Sequence, residues 1–142
     1  LCSAINEGEP KSAVKYILMN TVGNRNRDLP EKISFSEKCI IWLLRLLVPP
    51  HIDNEEAADF LRTKIGQNDN TIKWVVVRPS SLIDEEDVSE YKTHPSPTRS
   101  AIFNDGKVSR VNVAAFMTKL STDQNLWEKW KGQMPVIYNK EK

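Results

Sequence analysis

The sequence predicts an α/β fold, a parallel sheet flanked by helices. Two segments carry that prediction. YILM, within residues 14–20, and WVVV, within residues 72–79, are apolar at consecutive positions. Strands of that kind need cover on both faces and belong in parallel sheets. The third observation is what separates them. Two helix-forming stretches lie between the strands, enough chain for a crossover between parallel neighbours, which is right-handed by general rule.

The elements follow in order. LCSAINEGEPKSA looks like the end of a helix followed by a polar turn. VKYILMN (14–20) is rich in strand formers and is bounded by Asn20-Thr21 and Gly23-Asn24. RNRDLPEKI is polar and loop-like. SFSEKCIIWLLRLLV (34–48) begins at Ser34 with Glu37 three residues on, a capping box. Its apolar residues are almost continuous, so burial on more than one side is expected, and Pro49-Pro50 is expected to end it. A second helix, 53–69, opens on Asp53 with acids in its first turn, which suits the helix dipole, and closes at Gly66 and Asn68. After the strand 72–79, residues 80–107 read as a long irregular surface segment on the substrate side, and loops of that length are usually functional or mobile. VSRV (108–111) predicts a short strand. Asn112 is placed as cap of the helix VAAFMTKLST, which sets Val113, Phe116, Met117 and Leu120 on one face. DQNLWEKWKG predicts a last amphipathic helix, with Trp127 and Trp130 on one side as packing anchors. MPVIYN is a terminal extended piece. The 142 residues suit one domain.

Composition excludes several function classes. The formal charge of +1 gives no global field to recruit nucleic acid or an acidic membrane. The longest apolar run, CIIWLLRLLVPP, is broken by Arg45 and falls short of the ~20 residues that span a bilayer. Cys2 and Cys39 show neither CxxC nor Cys/His spacing, which argues against zinc or a disulfide framework and favours a reducing, cytoplasmic setting. His94 and His51 are the two histidines, too few for an expected metal site. Ser80 and Ser81 lack a G-x-S-x-G elbow, which removes a hydrolase reading. The start carries no basic stretch of a signal peptide. It reads as if cut inside a helix, so a fragment of a larger protein is expected.

In open α/β sheets ligands sit beyond the carboxyl ends of the strands. Two such ends are visible, MNTVGN (19–24) and VVVRPSSL (75–82). Proline fixes φ and removes a ladder donor, so Arg78-Pro79 ends the pairing and turns the chain. Ser80 and Ser81 then offer hydroxyl and N–H groups to a ligand. The alternative is a plain strand-ending turn.

VKYILMNTVG, the Asp-Asn-Glu helix ending DFLR, IKWVVVRPSSLI and VSRVNVAAFM together resemble, in order and spacing, the C-terminal portion of an atypical short-chain dehydrogenase/reductase of the NmrA-like, NAD(P)-binding Rossmann type. The resemblance implies a partial doubly wound sheet that lacks the N-terminal Gly-rich βαβ unit. It implies a nicotinamide dinucleotide across the strand ends. Asn20, Thr21 and Val22 would line its ribose and nicotinamide, Asn54 could bond a ribose, and Pro79, Ser80, Ser81 and Leu82 would meet the carboxamide. The strand would then stop where the cofactor begins.

Two departures bear on activity. The chain has 5 Gly and no GxGxxG or GxxGxxG, so the turn that grips the pyrophosphate is expected upstream of Leu1. The family's Tyr-x-x-x-Lys proton relay maps near Pro50 and Asn54, and neither residue is present. His51 and Asp53 are the candidates for a substitute relay, against the commoner roles of an exposed histidine and a capping aspartate. Arg99 and Arg110, flanking the long loop, are candidates for holding an anionic substrate, against ordinary surface arginines. Two functions stay open. One is an oxidoreductase that reduces a small carbonyl-type substrate when complete. The other is a non-catalytic dinucleotide sensor acting through protein partners. A chain lacking its inner strands would also expose an apolar edge at 14–20 and self-associate through it.

Overall fold

A computed structural model describes residues 1–31, 34–47, 49–104 and 106–140, with the side chains of residues 44–51 outside the description. The order is α1 (Cys2–Glu7), β1 (Val14–Met19), α2 (Phe35–Leu47), α3 (Pro49–Phe60), a π-helical turn (Leu61–Ile65), β2 (Ile72–Pro79), β3 (Ser81–Ile83), β4 (Tyr91–His94), β5 (Lys107–Ser109), α4 (Arg110–Thr122), α5 (Gln124–Trp130) and β6 (Val136–Asn139).

The main sheet has the order β1-β2-β6-β4, and β3 pairs with β5 in a small second sheet. β1 and β2 run parallel from Val14↔Ile72 to Met19↔Val77, as their two-faced apolar character requires. β6 continues the parallel set beside the end of β2, and β4 closes the row antiparallel. The terminal segment MPVIYN is therefore an inner strand, covered on both sides by partners. β1 is the outer strand among the described residues, and Met19 is half exposed.

Alternation along β2 sends its side chains into two cores. Val75 and Val77 join Ile137 against Val113, Phe116 and Leu120 of α4 and Trp127 and Trp130 of α5. Trp74 and Val76 pack with Ala58, Leu61 and Met134 on the opposite face. Full burial of such side chains is worth roughly 1.5–3 kcal/mol each. The tryptophans at 127 and 130 are packing anchors, as their spacing predicts.

The capping box at Ser34 forms: Ser34 N–H donates to Glu37 Oε2 at 2.9 Å, and Glu37 N–H to Ser34 Oγ at 3.2 Å. Other expectations shift. Phe35, Trp42 and Leu43 of α2 face outward, with Phe35 82% exposed, so among its described side chains this helix is not buried on more than one side. Pro49 and Pro50 stand at the boundary after α2, as expected, and they also open α3, since a first-turn proline gives up an N–H that has no partner there. Asp53 consequently lies inside α3 and caps nothing. Residues 80–107 hold two short strands, β3 and β4. Ser109 caps α4, accepting from Asn112 N–H, while the Asn112 side chain is buried against Ser89 and Asn139.

Candidate functional site

β1 and β2 end side by side, and the chain after β1 keeps following β2. Asn20 N–H donates to Val77 O at 2.8 Å and Val22 N–H to Pro79 O at 2.9 Å. On the other side Arg78 N–H reaches Pro135 O and Ser80 N–H reaches Ile137 O. Pro79 thus keeps its carbonyl in the ladder while its missing N–H removes a rung toward β1.

The side chains there are engaged to different degrees. Asn20 is occupied: its Nδ2 donates to Asn54 O at 2.8 Å and its Oδ1 accepts from Thr21 N–H at 2.8 Å. Asn24 Nδ2 reaches the same Asn54 carbonyl at 3.2 Å. Asn54 therefore anchors the loop through its backbone, and its side chain is exposed. Thr21 is partly exposed, and Val22 is buried with Val136 and Tyr138 under Ala101. Ser80 is buried, and its hydroxyl has no hydrogen-bond partner. Ser81 and Leu82 are exposed on β3. The fold brings Asn20, Thr21, Val22, Asn54, Pro79 and Ser80 to one place. Asp53 is exposed beside them, and the His51 side chain lies outside the described residues. Arg110 is exposed and pairs with Asp84 at 2.6 Å. Arg99 sits farther along, by the end of β6.

Beneath this site is an arginine whose role the sequence reading missed. Arg78 is fully buried, and its guanidinium uses all five N–H donors. Nη2 donates to Glu31 Oε1 at 2.7 Å and to Pro95 O at 3.2 Å. Nη1 donates to Glu31 Oε2 at 3.2 Å and to Asn24 O at 2.8 Å, and Nε to Met134 O at 2.8 Å. Glu31 Oε2 also accepts from Asn26 N–H at 3.0 Å. One side chain thereby fixes the loop after β1, the segment after β4 and the approach to β6. The signal was present: an arginine ending a strand apolar on both faces must find a carboxylate. The identity of that carboxylate was not.

The segment after β4 closes over Val22. Ser100 Oγ donates to Glu37 Oε1 and accepts from Phe103 N–H at 3.0 Å. The Ser100 bond, with those from Ser34, holds the Glu37 carboxyl below its ordinary value despite burial. Burial pushes the Tyr138 phenol up, with Thr98, Arg78 and Arg99 offsetting part of the rise. No hydrogen bond of ordinary geometry reaches that hydroxyl. Among the described residues no group of His, Cys, Asp and Glu is arranged to hold a metal, and no helix is long and apolar enough to cross a membrane.

Comparison with solved structures decides the architecture. The oxidoreductase ylbE from Lactococcus lactis superposes with a TM-score of 0.61 at 15% identity, over 99% of this chain and 52% of that one. ChuY, an anaerobillin reductase from Escherichia coli O157:H7, gives 0.59 at 18% identity, over 99% and 57%. The fold is Rossmann-like. A short-chain dehydrogenase/reductase from Veillonella parvula, solved in complex with NADP, gives 0.58 at 17% identity, over 96% of this chain and 54% of that one. The Rossmann-like chain spans about half the length of these structures. No family model and no curated protein matches it.

Proposed function

We propose that this chain is the C-terminal portion of an NAD(P)-binding oxidoreductase that, when complete, reduces a small carbonyl-type substrate in the cytoplasm. The observation that carries the reading is the pair of parallel strand ends, Asn20–Val22 beside Pro79–Ser80, joined by the Val22 to Pro79 bond. Ligands of open α/β sheets lie over such ends. The similarity in fold to an NADP complex supports the same reading.

The residues present fit a nicotinamide end. The Ser80 hydroxyl is buried without a partner, and a carboxamide would supply one. Thr21, Ser81 and Leu82 offer partly or fully exposed surface next to it. Asn20 acts indirectly, by fixing the loop to α3. The bound dinucleotide would supply the hydride. The Gly-rich turn for its pyrophosphate belongs, in this reading, to sequence preceding Leu1. Delivery of a proton falls to His51 or Asp53, since Pro50 and Asn54 occupy the relay places.

That replacement favours a second reading, a dinucleotide sensor without turnover that acts through protein partners. The test is direct. NADPH and NADH are titrated into the protein together with its preceding sequence, and NADPH oxidation is followed with a panel of small aldehydes and ketones. Binding with oxidation supports the enzyme. Binding without oxidation by any substrate supports the sensor. No binding overturns both.

A further inference from the structure

We propose that the cavity beside the carboxyl end of β6 is a binding site for a small organic carboxylate with a flat apolar body. Its volume is about 910 Å³, within the range of small-molecule sites. Ile83, Phe103 and Tyr138 give it apolar walls, and Phe103 is 63% exposed.

The polar groups are unevenly engaged. Arg99, already engaged within the chain, and Lys107 both line the cavity. Gly106 has φ +70°, and a Cβ on it would stand 3.0 Å from the Tyr138 ring, so glycine is what lets this corner pack against Tyr138. The acids of the lining are engaged by other residues. Glu90 pairs with Lys140, and Glu85 accepts from Asn139 Nδ2 and Ser89 Oγ. The Lys107 ammonium makes no ion pair or hydrogen bond among the described residues.

The cavity opens on the same side of the sheet as the ends of β1 and β2. It therefore names a substrate class for the proposed reaction, and that assignment rests on the oxidoreductase reading. Binding itself does not.

The probe is 2-naphthoate, titrated calorimetrically into the chain, with neutral 2-naphthamide as control. Naphthoate is expected to bind and to raise the melting temperature, with naphthamide about tenfold weaker or worse. Lys107→Glu, at an exposed position, is expected to abolish naphthoate binding with the unfolding curve unchanged, and Phe103→Ala to weaken both ligands. No heat up to millimolar naphthoate, equal binding of the two ligands, or indifference to Lys107→Glu would overturn the site. Naphthoate binding in a protein that fails to bind NAD(P)H leaves the site and sinks the oxidoreductase reading. The reverse pattern sinks the site alone.

Discussion

Replacing Glu31 by alanine is the sharpest test of how the strand ends are held. The Arg78 and Glu31 side chains are 0% and 3% exposed, and they meet through both carboxylate oxygens. Removing the carboxylate leaves a buried guanidinium facing only the carbonyls of Asn24, Pro95 and Met134. Breaking a buried pair in this way costs about 3–5 kcal/mol. A domain has roughly 5–15 kcal/mol in all. Glu31→Ala should therefore remove a large share of the stability and lower the melting temperature by about 10–15 °C. Urea unfolding followed by circular dichroism reads the loss directly. The double variant Arg78→Met, Glu31→Leu should recover part of it, because no charge is then buried although four backbone groups lose their partners. A loss below about 1 kcal/mol for Glu31→Ala would refute the reasoning, as would a double variant no better than the single one.

Further outcomes follow from other contacts. Glu37 has a lowered folded value, so its contribution is present above the ordinary carboxylate range and fades as pH falls through the lowered value. Ser100→Ala should flatten that acid limb and speed hydrogen exchange at residues 100–103. Unchanged exchange would remove Glu37 as the clasp. Ser109→Ala removes the cap of α4 and should cost about 1–2 kcal/mol in urea unfolding. Gly106→Ala forces a side chain onto φ +70° and against the Tyr138 ring, and should cost at least about 1 kcal/mol. A neutral result would mean that this corner relaxes freely.

The parts legible in the sequence were those written in local patterns. β1 and β2 declared themselves by consecutive apolar residues, α2 by its capping box, and α5 by the two tryptophans. What escaped was set by partners distant in the chain. β6 has four residues, and nothing local says that it lies between β2 and β4. The prolines at 49 and 50 mark a boundary, but the same residues serve at the start of a helix as well as after one. Phe35, Trp42 and Leu43 look like core because apolar residues usually are, and exposure is a property of what packs nearby. At the site, proximity to the strand ends was legible for Asn20, Thr21, Val22, Pro79 and Ser80. That Asn20 would spend both polar atoms on the protein was not, because the carbonyl it holds lies 34 residues away.

The Arg78 cluster also bears on the order of events in folding. Its partners lie 47, 54, 56 and 17 residues from it along the chain. No local segment can assemble it, and a guanidinium stays in water until every acceptor is in place. Its bonds should close after the rate-limiting step, when the sheet already exists. Weakening them would then leave the refolding rate nearly untouched and appear almost wholly as faster unfolding. The residues beneath the strand ends would set how long the native state lasts, while the valines of β2 set how quickly it is reached.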